Sequence, residues 1–237
     1  MRRLYTLICC FVMAAWFYNA SAQSVMQVWK DGKVVASFET SQVDSVTFTQ
    51  SPYQMVDLGL PSGTLWCAVN VGALLPSDTG DYYAWGETTT KTDYSMETSK
   101  WYGKDYDKDT ALVAEDDIAT QVCGADCHIP TPDQFNELFL TCQSDWTSQT
   151  NSAGEPSYGY LFTGPNGNQI FLPAAGYYNL TELISLNERG SYWTNQPDCA
   201  NNFSEYISYL IKGDPTTGDY LRSNGCSIRP VSDGKTK

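Results

Sequence analysis

The feature that most constrains the fold of this chain is the frequency with which glycine and proline interrupt its apolar runs. Most apolar runs are too short for helices, which predicts a loop-rich domain of short strands joined by tight turns. Seven short, unlike segments stand out, and none contains a catalytic constellation. They are VDLGLPSGTLW (56–66), DYYAWGET (81–88), DDIATQV (116–122), HIPTPDQFNEL (128–138), IFLPAAG (170–176), SYWTN (191–195) and GCSIRPV (225–231).

Residues 1–22 have the pattern of a secretory signal peptide. Two arginines precede an apolar stretch at 4–17, and Ala20-Ser21-Ala22 matches a cleavage site before Gln23. The stretch is shorter than the roughly 18 residues that a membrane-spanning helix needs. We expect the mature chain to be secreted, periplasmic or on the outer cell surface, with no insertion into a membrane.

The mature chain is strongly acidic. Removing two of the 14 basic residues leaves 12 against 27 acidic ones, a net charge of −15. Nucleic acids and anionic lipids attract clusters of Lys and Arg, which this chain lacks. The sequence therefore predicts no nucleic-acid partner.

Six cysteines remain after residue 22, and an even number in an exported protein favours disulfides. Six cysteines allow 15 pairings, all of which stay open at this point. A zinc site at Cys123, Cys127 and His128 is the competing interpretation, but its spacing and the compartment count against it. The disulfide candidates are Cys67, Cys123, Cys127, Cys142, Cys199 and Cys226.

The chain divides near Ser51-Pro52. Residues 23–52 are predicted as a small β appendage, because residues 25–36 alternate apolar and polar on both sides of Asp31-Gly32, a hairpin signal. A third strand is predicted at 41–49. Residues 53–232 are predicted as one domain, and 233–237 as a disordered tail.

Two helices are predicted in the main domain. One covers roughly 110–122. The other begins after Thr131, the predicted N-cap, with Pro132 at the first helical position and Gln134 completing a capping box. The apolar positions that would form its buried stripe are Phe135, Leu138, Phe139 and Cys142.

The rest of the main domain is predicted to be β. Residues 159–178 form two apolar strands around a turn at 165–168, and further strands are expected within 191–195, 204–212 and 219–231. No internal repeat is visible, which argues against propellers and solenoids. Two helices with small sheets define an α+β fold.

The residues Leu58–Trp66, Asn70–Ala73, Ala84–Thr88, Pro130-Thr131, Gly164–Gly167, Phe171–Gly176, Tyr192-Trp193 and Ser227–Val231 form a specific ordered set. This set closely resembles the FISUMP family, the "Fibrobacter succinogenes major paralogous domain" of secreted and surface proteins of Bacteroidota, from Val56 to Val231. The family is similar to C-type-lectin-like folds, in which two helices flank small antiparallel sheets and a long irregular loop region carries binding. The resemblance therefore implies a C-type-lectin-like domain preceded by a short N-terminal β-hairpin or meander.

Two departures from the family pattern involve cysteine. Cys127 stands where the family usually has Trp, and Cys67 stands where it usually has Ala. A crosslink stabilises by about 2–4 kcal/mol, enough to offset lost packing. The resemblance thus implies that Cys127 is paired, with Cys67 as the suggested partner.

Calcium is a better-supported ion than zinc, and no other cofactor is predicted. The spacing of four aspartates is that of an EF-hand-like loop, although Thr110 replaces the turn glycine. A solvated acidic loop is the favoured alternative. The candidate ligands are Asp105, Asp107, Asp109 and Asp116.

Aromatic side chains are the predicted ligand contacts, because rings give a large contact area at low entropy cost. Trp66, Trp85 and Trp193 lie in family segments and are predicted to be core. The predicted exposed contacts are Tyr94, Trp101, Tyr102 and Tyr106, with Tyr158 and Tyr178 as second choices.

Gln196 and Asp198 form, with the proline between them, the tripeptide that in C-type lectins ligates calcium and favours galactose. Those lectins also need a downstream Trp-Asn-Asp, which this chain lacks. Turn chemistry is the simpler explanation for the tripeptide.

Enzyme classes find little support in the sequence. A formylglycine-type oxidoreductase, which shares the lectin-like fold, needs two closely spaced cysteines, whereas Cys199 and Cys226 are far apart. His128 is the only histidine, and a hydrolase that uses paired carboxylates stays open among 27 acids. We predict a non-enzymatic recognition module that binds a glycan or an extracellular protein. The alternatives are a structural component of the cell envelope, with 24–50 as its assembly element, and either enzyme.

Overall fold

The computed structural model describes residues 25–30, 32–43, 53–104, 111–197, 204–213 and 215–234. They belong to two compact units, one within Met1–Gln50 and the other within Ser51–Lys237. The architecture is α+β and rich in sheet, with two short α-helices and small antiparallel sheets, as predicted. In the described ranges, every helix is too short or too polar to cross a membrane.

The first unit contains the predicted hairpin. Strands β1 (Val25–Lys30) and β2 (Lys33–Glu39) pair antiparallel around Gly32, whose φ of 73° suits a tight turn. Residues Thr40–Gln42 form a 3₁₀ turn closed by a hydrogen bond from the Val43 amide to the Thr40 carbonyl. The third strand predicted at 41–49 therefore does not begin at 41, and residues 44–50 lie outside the described residues.

The second unit contains the remaining strands and both α-helices. In chain order they are β3 (Met55–Asp57), β4 (Leu65–Cys67), α1 (Ile118–Cys123), β5 (Cys127–His128), α2 (Pro132–Thr141), β6 (Gln143–Thr150), β7 (Pro156–Thr163), β8 (Gln169–Pro173), β9 (Tyr177–Asn179), β10 (Glu182–Ile184), β11 (Arg189–Pro197), β12 (Ser204–Ile211), β13 (Thr216–Leu221) and β14 (Val231–Ser232).

These strands form four antiparallel sheets. Their orders are β3-β4-β14-β5, β6-β7-β8, β11-β12-β13 and β10-β9. The final strand β14 lies between β4 and β5, with Val231 opposite both Trp66 and His128. The two ends of the unit are thus hydrogen-bonded within one sheet, and the described chain between them includes residues 68–104 and 111–113, which lie outside the strands and α-helices.

Helix α2 begins as the sequence predicts. The Thr131 hydroxyl oxygen accepts a bond of 3.1 Å from the Gln134 amide, and the Gln134 side chain accepts one of 2.8 Å from the Thr131 amide. This reciprocal capping box satisfies two amides that have no partner within the helix. Phe135 and Leu138 are fully buried and Cys142 is nearly so, while Phe139 is partly buried against them.

Helix α1 is shorter than predicted, because Asp117 caps it. The Asp117 carboxylate accepts hydrogen bonds from Ala119 (2.8 Å) and Thr120 (3.2 Å), so the helix begins at Ile118. The other carboxylate oxygen accepts a bond of 2.8 Å from the Ile129 amide. Burial raises the pKa of this carboxyl group against the effect of those bonds. Residues Ala114–Asp116 form a 3₁₀ turn where the prediction of 110–122 expected α-helix.

The core has two main clusters, and the three predicted core tryptophans are fully buried in them. Trp66 packs with the apolar face of α2 and with β7 and β8. Trp85 and Trp193 belong to the second cluster, together with Ile118 and Ile129. The Trp85 indole donates to the Thr194 carbonyl (2.9 Å) and the Trp193 indole to the Tyr83 carbonyl (2.7 Å), which joins the segment 83–85 to β11.

Candidate functional site

The candidate site is built on residues 86–104, which we call the site loop. The loop starts at Gly86, whose φ of 69° is in the left-handed region. A β-carbon at this position would lie only 2.9 Å from the Trp101 indole nitrogen. That nitrogen donates a bond of 2.9 Å to the Trp85 carbonyl. Glycine is therefore required here both for its conformation and for the close approach of Trp101.

Trp101 was predicted to be an exposed ligand contact, but its main role is to anchor the site loop. Its ring lies 6.1 Å from that of Trp85, and it packs against the second core cluster while remaining partly exposed. The Lys100 ammonium lies 4.9 Å from the Trp101 ring centroid, within the range of a cation–π contact. Tyr102, by contrast, is 57% exposed, as expected of a contact residue.

The expectation that Tyr94 is an exposed contact is wrong, because this side chain is only 3% exposed. Its hydroxyl donates a bond of 2.6 Å to the Tyr82 carbonyl, and its ring stacks on Tyr178 with centroids 5.3 Å apart. Burial raises the pKa of Tyr94 to about 12. The ring also contacts Gly225, where a β-carbon would lie 2.6 Å away. Tyr94 is therefore a buried residue that forms part of the wall of the candidate site.

Two neighbouring depressions open beside the site loop. The tyrosine depression, of about 350 Å³, is lined among others by Tyr82, Thr90, Lys91, Tyr94, Tyr178 and Thr181. The threonine depression, of about 260 Å³, is lined by Gly86, Glu87, Thr88, Thr89, Thr98 and Lys100. Both offer hydroxyl groups and charged side chains, and the first adds aromatic rings.

Glu87 connects the two depressions. Its carboxylate accepts bonds from the Lys91 ammonium (2.9 Å) and the Lys100 amide (2.8 Å), which holds both ends of the site loop together. The Lys91 ammonium also lies 5.5 Å from the Tyr94 ring centroid. Tyr82 and Tyr178 complete the aromatic wall with an edge-to-face contact at 5.0 Å. The site loop, together with Tyr82 and Tyr178 beside it, thus presents rings, hydroxyls and both signs of charge.

The second predicted binding segment approaches the continuation of this loop. The Leu112 amide donates a bond of 2.9 Å to the Asn195 carbonyl, so the chain after the site loop is joined to β11. Gln196 is the next residue and is exposed. Tyr106 and Asp198 lie outside the described residues, so their predicted roles stay predictions.

Of the four calcium-ligand candidates, the structure describes one. The Asp116 carboxylate is paired with the Lys100 ammonium. Asp105, Asp107 and Asp109 lie outside the described residues. In the part of the chain that is described, no group of His, Cys, Asp and Glu side chains could hold a metal ion.

We expect millimolar calcium chloride to leave the melting temperature unchanged, and EDTA not to lower it. Asp116 would have to leave its lysine partner in order to bind a cation. Differential scanning fluorimetry of the mature chain measures both effects. A calcium-dependent rise in melting temperature that Asp116→Asn abolishes would establish the site and contradict this expectation.

The described cysteines are Cys67, Cys123, Cys127, Cys142 and Cys226, and none of them is in a disulfide. Cys199 lies outside the described residues. The Cys67 thiol interacts with the Cys123 thiol. The Cys67–Cys127 pairing that the resemblance implies stays a prediction. His128 is hydrogen-bonded to the Ile129 carbonyl (2.8 Å) and lies 3.3 Å from the Asp233 carboxylate.

No family model, curated protein or solved structure matches this chain significantly.

Proposed function

We propose that the unit Ser51–Lys237 is a C-type-lectin-like domain of the FISUMP family that binds an extracellular glycan without enzymatic activity. The fold assignment is supported by two helices beside small antiparallel sheets, with β4 and β14 joining the two ends of the unit. It is further supported by the burial of Trp66, Trp85 and Trp193, which come from the family segments.

The observation that carries the binding proposal is the tyrosine depression. Sugars present apolar faces that pack on aromatic rings and hydroxyl groups that need hydrogen-bonding partners. Tyr82 and Tyr178 provide partly exposed rings, whereas Thr90 and Thr181 provide exposed hydroxyls at the rim. Lys91 adds a donor whose position is fixed by Glu87. An extracellular protein is the alternative ligand, because the same groups suit a protein surface.

A glycan array probed with the mature chain tests this proposal. We expect a bound glycan whose affinity falls at least about tenfold in Tyr178→Ala, because a central aromatic contact contributes on the order of 2 kcal/mol. Thr181→Trp is expected to give a similar loss, because a large side chain on this exposed rim residue would fill the depression without removing a packed ring. Titration calorimetry of the selected glycan measures both losses.

The matched control is Tyr158→Ala. Tyr158, which the sequence offered beside Tyr178 as a second-choice contact, is a 44% exposed tyrosine on β7 that does not line the tyrosine depression. Its replacement should leave glycan affinity unchanged. Equal losses in Tyr158→Ala and Tyr178→Ala would overturn the assignment of the site, and a chain that binds no glycan would overturn the proposed ligand.

A structural role in the cell envelope is the second candidate, and the first unit favours it. Trp29, Val35 and Phe38 in the hairpin are between 45% and 60% exposed, and apolar side chains of that size on a two-stranded hairpin suit assembly with other chains. The enzyme alternatives stay predictions. The structural role would be favoured if the chain bound no glycan, and if it retained envelope proteins only when residues 24–50 were present.

A further inference from the structure

Three cysteine side chains from separate elements of the second unit lie in a row. Cys67 ends β4, Cys123 ends α1 and Cys127 begins β5. Cys67 and Cys127 lie on the two strands that flank β14, and their side chains are on the same face of this sheet. The Cys123 thiol interacts with both of these thiols. The Cys127 sulfur also lies 3.8 Å from the Cys123 carbonyl oxygen. Cys123 is therefore the middle member of the row.

The three thiols differ in accessibility. Cys67 and Cys127 are buried, whereas Cys123 is partly exposed. A reagent from solvent therefore reaches Cys123 first. Neighbouring thiols, one of them accessible to a disulfide in solution, can be oxidised to a disulfide by exchange.

The surroundings of Cys67 favour its thiolate. The hydrogen bond from Cys123 lowers the pKa of the Cys67 thiol to about 7, although burial acts in the opposite direction. The buried Arg229 guanidinium, which donates a bond of 3.0 Å to the Cys67 carbonyl, also favours the negative charge. The thiolate is the form that attacks disulfides.

We propose that Cys67 and Cys123 form a disulfide when the chain is oxidised. Cys127 is a third thiol, which takes the place of Cys67 in an alternative Cys123–Cys127 disulfide. Both alternative bonds share Cys123, because its thiol interacts with the other two. This proposal replaces the Cys67–Cys127 pairing and does not depend on what the domain binds.

The oxidant in this proposal is a small-molecule or protein disulfide. The Cys67 thiolate accepts the Cys123 proton while the Cys123 sulfur attacks one sulfur of that disulfide and forms a mixed disulfide. The released thiolate then takes this proton from Cys67 and leaves as the first thiol. The Cys67 thiolate then attacks the Cys123 sulfur, which forms the Cys67–Cys123 bond and releases the second thiol. Two cysteines are oxidised while one external disulfide is reduced to two thiols.

The bond would close a chain segment from 67 to 123, and this segment contains the whole site loop. Closing a long loop removes conformations from the unfolded chain. Oxidation should therefore stabilise the domain against unfolding.

The test is peptide mapping without reductant after incubation of the full mature chain with glutathione disulfide. In the wild-type chain we expect one linkage among the three, between Cys67 and Cys123. Cys127→Ala should keep this linkage, Cys67→Ala should shift it to Cys123–Cys127, and Cys123→Ala should leave both other thiols reactive to alkylation. Cys142→Ala is the matched control and should not change the map.

A melting curve gives a second readout that does not depend on the variants folding equally well. Reduction of the oxidised wild-type chain should lower its melting temperature by about 5–15 °C. The same reductant should leave the melting temperature of the Cys123→Ala variant unchanged. A wild-type linkage of Cys67 to Cys127 or to Cys199, or three free thiols after oxidation, would overturn the proposal.

Discussion

Phe135→Ala is expected to lower the free energy of unfolding by about 3–5 kcal/mol, the usual cost of truncating a buried phenylalanine. Phe135 is fully buried at the centre of the first core cluster. Its ring lies 5.1 Å from that of Trp66 in an edge-to-face contact, and it also faces Phe139 and Tyr192. The alanine variant would leave a cavity between α2 and the sheet strand that carries Trp66. Urea denaturation followed by tryptophan fluorescence measures the loss.

Two variants in the same helix region calibrate this loss. Leu140→Ala removes an apolar side chain of α2 that is 87% exposed, and it should change stability by less than about 0.5 kcal/mol. Thr131→Ala removes the capping hydroxyl and should cost about 1 kcal/mol. If Phe135→Ala and Thr131→Ala lost equal stability, the position of Phe135 in the core would be wrong.

Arg229→Met is expected to destabilise the domain by about 3 kcal/mol. The Arg229 guanidinium is fully buried and donates to the Asn70 side chain (2.8 Å), the Cys67 carbonyl (3.0 Å) and the Phe171 carbonyl (2.8 Å). Each bond from a charged donor contributes about 1.5–3 kcal/mol, and methionine would leave these acceptors without that donor. The stabilisation from these hydrogen bonds is partly offset by the cost of burying the charge. Burial also lowers the pKa of Arg229.

The comparison for Arg229→Met is Lys104→Met, which removes a positive charge from an exposed position at the end of the site loop. That change should stay within about 0.5 kcal/mol. Both variants are melted in urea in the same redox state, because Cys67 is a neighbour of Arg229. An Arg229→Met protein as stable as the wild-type chain would show that the guanidinium does not hold β4, β8 and the segment before β14 together.

Local signals predicted the elements whose stabilising contacts are close in sequence. The capping box and the apolar stripe of α2 lie within a dozen residues, and the structure has the helix where they predict it. The hairpin around Gly32 and the pair β7–β8 around the turn at 165–168 were also predicted from adjacent residues. Strand β6 was not predicted, because its polar sequence becomes a strand by pairing with β7, where Trp146 is opposite Tyr160.

The candidate site was predicted less well than the fold, because its side chains are positioned by contacts with residues far away in the sequence. Tyr94 and Trp101 were both predicted to lie in one loop. Tyr94 is buried against Gly225, which is distant along the chain. Trp101 packs beside Trp85, whose indole is hydrogen-bonded to β11. The start of α1 depends on Asp117, whose carboxylate also binds the backbone before α2. The rings of Tyr82 and Tyr178 form the aromatic wall only because the bridge between Tyr178 and Gly225 brings β9 beside residues 82–94.

The sequence by itself determined the α+β class, the first residues of α2 and the identity of the buried tryptophans. The fold class and the start of α2 follow from the apolar pattern and from hydrogen bonds between near neighbours, which act wherever the rest of the chain lies. The tryptophans were predicted to be buried because they lie in the segments that resemble the FISUMP family. Only the tertiary structure decided that Tyr94 is a wall, that Cys123 is the neighbour of Cys67, and that Arg229 is buried beside both β4 and β8. Those outcomes depend on contacts between residues far apart in the chain, and the closure of the sheet by β14 brings such residues together.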